Sequence, residues 1–203
     1  VEQVQMPAGH FNIAVAPFDV SAAQGDKGKL QDLSGEVSGW MAERLSNGLQ
    51  AEHVTDSLQG AVVWANKLQE TPAIKPPIAP IKTKEEAEFW QKRLGARLVI
   101  YGTLSGTPGD TEFTPSFYYR SDRVSELPDL DSGHHPFGAP LKIEFADDVD
   151  TALEHLQQRS DLSQRAEAFV WLISALTQVS ANAPDAALAT LRSAEQRVEG
   201  WNN

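Results

Sequence analysis

The sequence predicts an α/β fold, a mixed central sheet with flanking helices, closed at its C-terminal end by an αα-hairpin. Three observations carry that expectation. The runs Phe11-Asn-Ile-Ala-Val-Ala-Pro-Phe18 and Leu98-Val-Ile-Tyr-Gly102 are short and almost continuously apolar, as strands covered on both faces are. The second run follows a helical stretch that stops at Gly95, giving the helix, glycine, strand rhythm of an α/β layer. From Thr151 onward the apolar spacing is helical only.

Composition sets the outer limits. A chain of 203 residues holds one good-sized domain, or one domain and a short appendage. Its 28 Asp and Glu against 17 Lys and Arg give a formal net charge of −11, which repels a polyanion and argues against nucleic acid as a partner. The absence of cysteine removes disulfides, thiolate catalysis, Cys-ligated zinc, iron–sulfur clusters and an acylated lipoprotein cysteine within this chain. No apolar run is long enough to span a bilayer. The chain begins at Val1, which reads as a processed or truncated start. Residues 1–9, with Gln, Pro and Gly, read as a tether leading from a removed N-terminal anchor. That points to the extracytoplasmic or periplasmic side, with a cytoplasmic location as the alternative.

The elements follow in order. Pro17 belongs at the end of the first strand, because proline cannot donate to a sheet ladder. Residues 19–32 are polar and glycine-bearing and read as a surface loop. Ser34 is the expected N-cap of a helix whose apolar face is Leu33, Val37, Trp40, Met41, Leu45 and Leu49, at spacings of three and four. Residues 61–64, Ala-Val-Val-Trp, fit a short strand or a brief helix. Four prolines in residues 72–80 require an extended connection. Thr83-Lys-Glu-Glu86 fits a capping box, and the helix it opens buries Ala87, Trp90 and Leu94 before Gly95 ends it. Gly102 is expected to end the strand that follows.

The middle of the chain differs. Residues 113–119 read as a less buried strand, with Pro115 placing it at an edge or near its beginning. Residues 122–140 read as a long loop, and residues 141–145 alternate like a half-exposed antiparallel strand. Residues 126–150 carry seven acidic side chains and one lysine, a concentration of negative charge. Thr151-Ala-Leu-Glu154 is a second capping box. Helices over 162–179 and 184–198, joined at Asn182-Ala-Pro184, make the hairpin, with Pro184 suited to the first helical turn. The expected division is an α/β domain over 1–150 and a helical appendage over 151–203.

Two resemblances refine this reading. The first strand, an amphipathic helix, a variable loop and then Trp90…Leu94-Gly-Ala-Arg-Leu-Val-Ile-Tyr-Gly-Thr103 resemble the TolB amino-terminal-like domain over roughly residues 9–146. The same core is similar to that of the curli-secretion lipoproteins, which pair an Ile-Ala-Val-x-x-Phe strand with a Leu-Gly-Ala corner. The resemblance implies an assembly or sensing surface in a bacterial envelope or multidomain protein rather than catalysis. Trp171, Ala175, Ala187, Leu191 and Ala194 stand at offsets that resemble one tetratricopeptide repeat over residues 168–194. Ser174, Gln178 and Glu199 depart from that pattern, and an ordinary helical hairpin is the alternative.

Chemistry-bearing motifs are few. His134 and His135, with His10, His53 and His155, are the first candidates for a metal, alongside Asp129, Asp131, Asp147, Asp148 and Asp150. Adjacent histidines in an extended stretch point opposite ways, and no His-x-x-x-His spacing exists, so a solvated loop is the simpler reading. Asp147, Asp148 and Asp150 lack a calcium-loop pattern and suit an acidic turn before a helix cap. Gly25-Asp-Lys-Gly-Lys-Leu30 lacks the first glycine and the hydroxyl of a P-loop, and Pro108 breaks a dinucleotide reading after Gly102. No Gly-x-Ser-x-Gly elbow is present. Trp40, Trp64, Trp90 and Trp171 fall on apolar faces, and Trp201 lies at the chain end.

The expected function is therefore a non-catalytic protein-binding or assembly module that needs no cofactor. Its expected partner is another protein or further helical repeats. Candidate contact residues are the aromatic groups on polar segments: Phe117, Tyr118, Tyr119, His134, His135 and Phe137. Two alternatives stay open. One is a small-ligand or nucleotide sensor using Pro17 to Gly25 and Gly102 to Gly106 at the strand ends. The other is a metal-dependent hydrolase, which requires His134, His135 and nearby aspartates to converge.

Overall fold

The computed structural model describes residues 6, 8, 10–22, 27–52, 61–66, 78–107, 110–120, 133–143, 151, 154 and 160–199, and among these seven strands and four helices follow one another. In chain order they are β1 (Phe11–Val15), β2 (Asp19–Ala22), α1 (Lys27–Ala51), β3 (Ala61–Ala65), α2 (Lys84–Leu94), β4 (Leu98–Thr107) and β5 (Asp110–Tyr119). Then come β6 (Gly133–Pro136), β7 (Leu141–Ile143), α3 (Ser160–Ser180) and α4 (Pro184–Glu199). All strands join one mixed sheet in the order β3-β1-β4-β5-β6, with β2 beside β4 and β7 beside β5.

The sheet has two broken rows. β1 and β2 lie end to end along one edge of β4, both parallel to it, β1 against residues 98–100 and β2 against residues 103–106. Pro17 sits at the break, since it brings no N–H to the ladder. Ala16 still donates to the Ile100 carbonyl at 2.9 Å, and Phe18 bridges to Ile81 on the opposite side. The expected surface loop over 19–32 is corrected accordingly: 19–22 is strand, and α1 already begins at Lys27. Ser34 lies inside α1 and caps nothing; its buried hydroxyl donates to the Phe18 carbonyl at 2.6 Å, tying α1 to the strand break. Residues 61–65 resolve as strand, parallel to β1.

On the far side, β6 and β7 lie along one edge of β5, both antiparallel to it. β5 is thus interior, not an edge, and Gly133–Pro136 is strand where a loop is expected. Pro115 is tolerated there because only its carbonyl is needed, accepting from the Phe137 N–H at 3.0 Å. Residues 121–132 and 144–150 lie outside the described residues, as do most of the Thr151 to Glu154 cap and Trp201.

Two apolar clusters sandwich the sheet. On one face Ile13, Val15, Leu98, Ile100, Leu104 and Phe113 pack against Leu33, Val37, Met41, Leu45 and Leu49 of α1, the face expected from their spacing. α3 closes the same cluster with Ala166, Phe169, Val170 and Ile173. Its Phe169 ring lies 5.0 Å from Phe117 and 4.2 Å from Phe137, and Arg165 donates to the Ala139 carbonyl at 2.5 Å. On the other face α2 brings Ala87, Trp90 and Leu94 onto Ala14, Val99 and Tyr101, joined by Ile78 and Ile81. Its caps follow the sequence. Thr83 accepts from the Glu86 N–H at 3.2 Å, the Glu86 carboxylate accepts from the Lys82 N–H at 2.7 Å, and Gly95 turns left-handed at φ 68°.

α4 packs against α3 through Ala187 and Ala194, and the Thr190 hydroxyl donates to the Gln178 side-chain oxygen at 3.0 Å. Ser174, where the repeat pattern expects leucine, is buried and satisfied by the Val170 carbonyl at 2.8 Å. Among the described residues no helix is long and apolar enough to cross a membrane.

β4 passes straight through Gly102 instead of ending there. Gly102 pairs with Pro115 in the long antiparallel ladder to β5, and a Cβ on it would come 2.3 Å from the Thr114 carbonyl oxygen and 2.9 Å from the Pro115 Cα. Backbone cannot yield as a side chain does. Gly102→Ala is therefore expected to cost about 2–4 kcal/mol, several degrees in Tm, in a thermal or urea unfolding comparison. Gly28→Ala on α1, whose added Cβ meets nothing within 4 Å, is the control expected to leave stability unchanged or slightly raised. Equal stability of the Gly102→Ala protein and the wild type would contradict this packing.

Candidate functional site

Helix length explains where the polar site falls. α2 has 11 residues, about 16 Å of helix, whereas β4 has 10 residues and runs about 33 Å. α2 therefore covers only the first half of β4 on its face, while α1 and α3 cover the opposite face. Where α2 runs out the side chains change from apolar to hydroxylic. Tyr101 and Thr103 of β4 stand beside their register partners Ser116 and Thr114 of β5, and His134 of β6 pairs with Tyr118. The segment from Ile81 to Glu85, leading into α2, walls the other side. Together they enclose a hollow of about 410 Å³.

A tyrosine and a histidine meet at its floor. The Tyr101 hydroxyl and His134 Nδ1 lie 2.5 Å apart. Burial, with the negative charge of Glu85 adding to it, pushes the Tyr101 phenol up to about 12. The phenol therefore stays protonated and can donate to the His134 ring nitrogen. Burial likewise raises Tyr118, with Glu88 contributing. At the rim each lysine stands beside a carboxylate: Lys82 is 3.6 Å from Asp19, and Lys84 is 3.9 Å from Glu85. Glu85 itself is held below the usual carboxylate range, first by its own backbone N–H and then by the Thr83 hydroxyl.

A second hollow, about 600 Å³, lies at the break between β1 and β2, lined by Pro17, Phe18, Asp19 and Val20 and by Lys27, Gln31 and Ser34 of α1. Several of its polar groups are already engaged. Ser34 donates to Phe18, Ser38 donates to the Gly35 carbonyl, and Asn66 both donates to and accepts from the Ile78 backbone.

The expected contact residues separate into two sets. Phe117, Tyr119 and Phe137 are only 6%, 5% and 8% exposed and belong to the core beneath α3, so their role as a contact surface is corrected to packing. Tyr118 and His135 are half-buried and His134 is exposed. The two imidazoles diverge as adjacent residues of a strand must: His134 meets Tyr101, while His135 stacks on Phe117 at 5.1 Å on the opposite face. The convergence that a metal reading requires is not made by this pair. Among the described residues no three His, Asp or Glu side chains gather as metal ligands. His53, His155, Asp129, Asp131, Asp147, Asp148 and Asp150 lie outside the described residues. For the sensor reading, Gly102 to Gly106 is strand rather than a loop, with Gly102 backing the smaller hollow, and residues 23–26 lie outside the described residues. Thr103, Thr114 and Ser116 went unnoticed in the sequence; alternation along residues 111–119, with small hydroxyls opposite the apolar positions, was the available signal.

No protein-family model and no curated protein matches this chain. Among solved structures it is similar to the PelC dodecamer from Paraburkholderia phytofirmans, with 14% identity over 80% of this chain and 93% of that one and a TM-score of 0.31. A single-substitution variant of that dodecamer gives 12% identity over 74% and 88%, with a TM-score of 0.29. Likeness at that level carries no argument about fold or function.

The raised phenol has a testable consequence. A group whose pKa is higher folded than unfolded stabilises fully below its unfolded value, and that contribution is lost as pH rises toward the folded value. For Tyr101 the window runs from 10.0 to about 12. Tyr101→Phe is expected to lower Tm at neutral pH, through loss of a hydrogen bond worth about 1 kcal/mol, yet to fall less steeply than wild type across that alkaline window. Parallel alkaline slopes would contradict the buried neutral phenol.

Proposed function

We propose that the chain is a non-catalytic protein-binding or assembly module of a bacterial multidomain or envelope protein, acting on the extracytoplasmic side. One observation carries the reading: α4 keeps its outer face open. Leu188 and Leu191, one helical turn apart, are 47% and 36% exposed, while Ala187 and Ala194 on the inner face meet α3. Scattered exposed leucines are ordinary, but two adjacent ones on the outermost helix of a hairpin make a seam for another helix. The likeness of residues 168–194 to a tetratricopeptide repeat supports the same occupant, another protein or further helical repeats, because such units stack on neighbours to bury that face. The net charge of −11 adds to the case against nucleic acid as the partner.

Site-specific photocrosslinking in the native host tests this. A crosslinking residue at position 188 is expected to give discrete higher-mass adducts that Leu191→Glu abolishes without lowering Tm. The same residue at Glu112, exposed on the sheet, is the control. Identical patterns at the two positions would sink the proposal.

A further inference from the structure

We propose that the hollow beyond the N-terminal end of α2 binds a neutral, polyhydroxylated ligand of the sugar or polyol class. The binding groups are the hydroxyls of Thr103, Thr114 and Ser116, with His134 and Tyr101 at one side.

Three features select that chemistry. First, the hydroxyls of Thr103, Thr114 and Ser116 are half-buried, and none makes a side-chain hydrogen bond to another described residue. A half-buried hydroxyl without a protein partner needs water or a ligand, and each can donate and accept at once. A vicinal diol has the same double capacity on each oxygen, so a sugar can satisfy several of them together. Second, the charges nearby cancel locally. Each described lysine lining the hollow stands near a carboxylate, Lys82 at 3.6 Å from Asp19 and Lys84 at 3.9 Å from Glu85, which weakens selection of a phosphate or carboxylate. His134 keeps its Nε2 for a ligand while its Nδ1 accepts a hydrogen bond from the Tyr101 hydroxyl. Third, the shape suits a small ring. The volume of about 410 Å³ falls within the usual range for small-molecule sites. The backbone is preset as well: the three hydroxyls stand on neighbouring rungs of one antiparallel ladder, so they need no ordering on binding.

The larger hollow at the strand break fits less well, because Ser34, Ser38 and Asn66 already have partners there.

The test is an amide-resonance titration of the whole chain with glucose, galactose, N-acetylglucosamine, trehalose and myo-inositol, with inorganic phosphate in parallel. At least one of the neutral compounds is expected to move the amides of Thr103, Thr114, Ser116 and His134 saturably at millimolar concentration. Thr103→Val with Thr114→Val, which keeps side-chain shape and removes two hydroxyls, is expected to weaken binding about tenfold or more. Should that double variant fail to fold, Ser116→Ala provides the same reading with a smaller perturbation. Saturable shifts of these amides by phosphate but not by the sugars would overturn the proposal, as would their indifference to every compound. Sugar binding undiminished in the folded valine or alanine variants would overturn it too.

Discussion

The structure depends on β4 being paired along both edges, continuously on one and in two stretches on the other. One edge takes β1 and β2 in parallel and the other takes β5 antiparallel, from Leu98 opposite Tyr119 to Thr107 opposite Asp110. That double pairing is possible only because Gly102 leaves room for the Thr114 and Pro115 backbone. Interrupting the ladder at this point would separate the part of β4 that holds β1 from the part that holds β2. Each broken row would then lose half of what aligns it. Apolar residues on both faces, Ile100 toward α1 and α3 and Val99 toward α2, secure the strand against the layers above and below.

From that strand outward, covering is unequal. The long α1 and α3 cover one face, with Phe117, Phe137 and Phe169 locking the sheet to α3. The short α2 buries only part of the other face. Hydroxyls and imidazole occupy what it leaves, so a hollow appears beyond the end of the helix. α4 stands one layer further out again. It packs on α3 through alanines and presents leucines to solvent, which places the proposed protein contact and the proposed ligand hollow on separate elements.

Much of this was legible locally. The two apolar strands, the Thr83 cap, the Gly95 stop and the hairpin joined at Pro184 are each written in a few neighbouring residues whose chemistry admits few conformations. The misses are all places where a distant partner outweighed local preference. Ser34 looks like a cap because its hydroxyl seeks a backbone group, and it found the Phe18 carbonyl across the fold instead of its own helix end. β2 is short and polar, and β6 is Gly-His-His-Pro; neither would pair without β4 and β5 beside it. Pro115 suggested an edge, yet proline also fits an interior strand where only its carbonyl is used. Aromatic residues near charged segments suggested a contact surface, and Phe117 and Phe137 proved to be the floor on which α3 rests. At the site, His134 could be picked out by residue type alone. The threonine and serine hydroxyls could not, since on an exposed strand face they look ordinary until β6 and the segment before α2 enclose them.

The central claim is a hierarchy, with β4 as the spine and α4 as a peripheral helix left available to a partner. Native-state hydrogen exchange measures that hierarchy directly. The account predicts that the amides of Ile100 and Leu104 exchange only through global unfolding, while those of Leu188 and Leu191 exchange through local opening of α4 at a clearly lower free energy. Equal protection of the two sets, or greater protection of α4 than of β4, would contradict it.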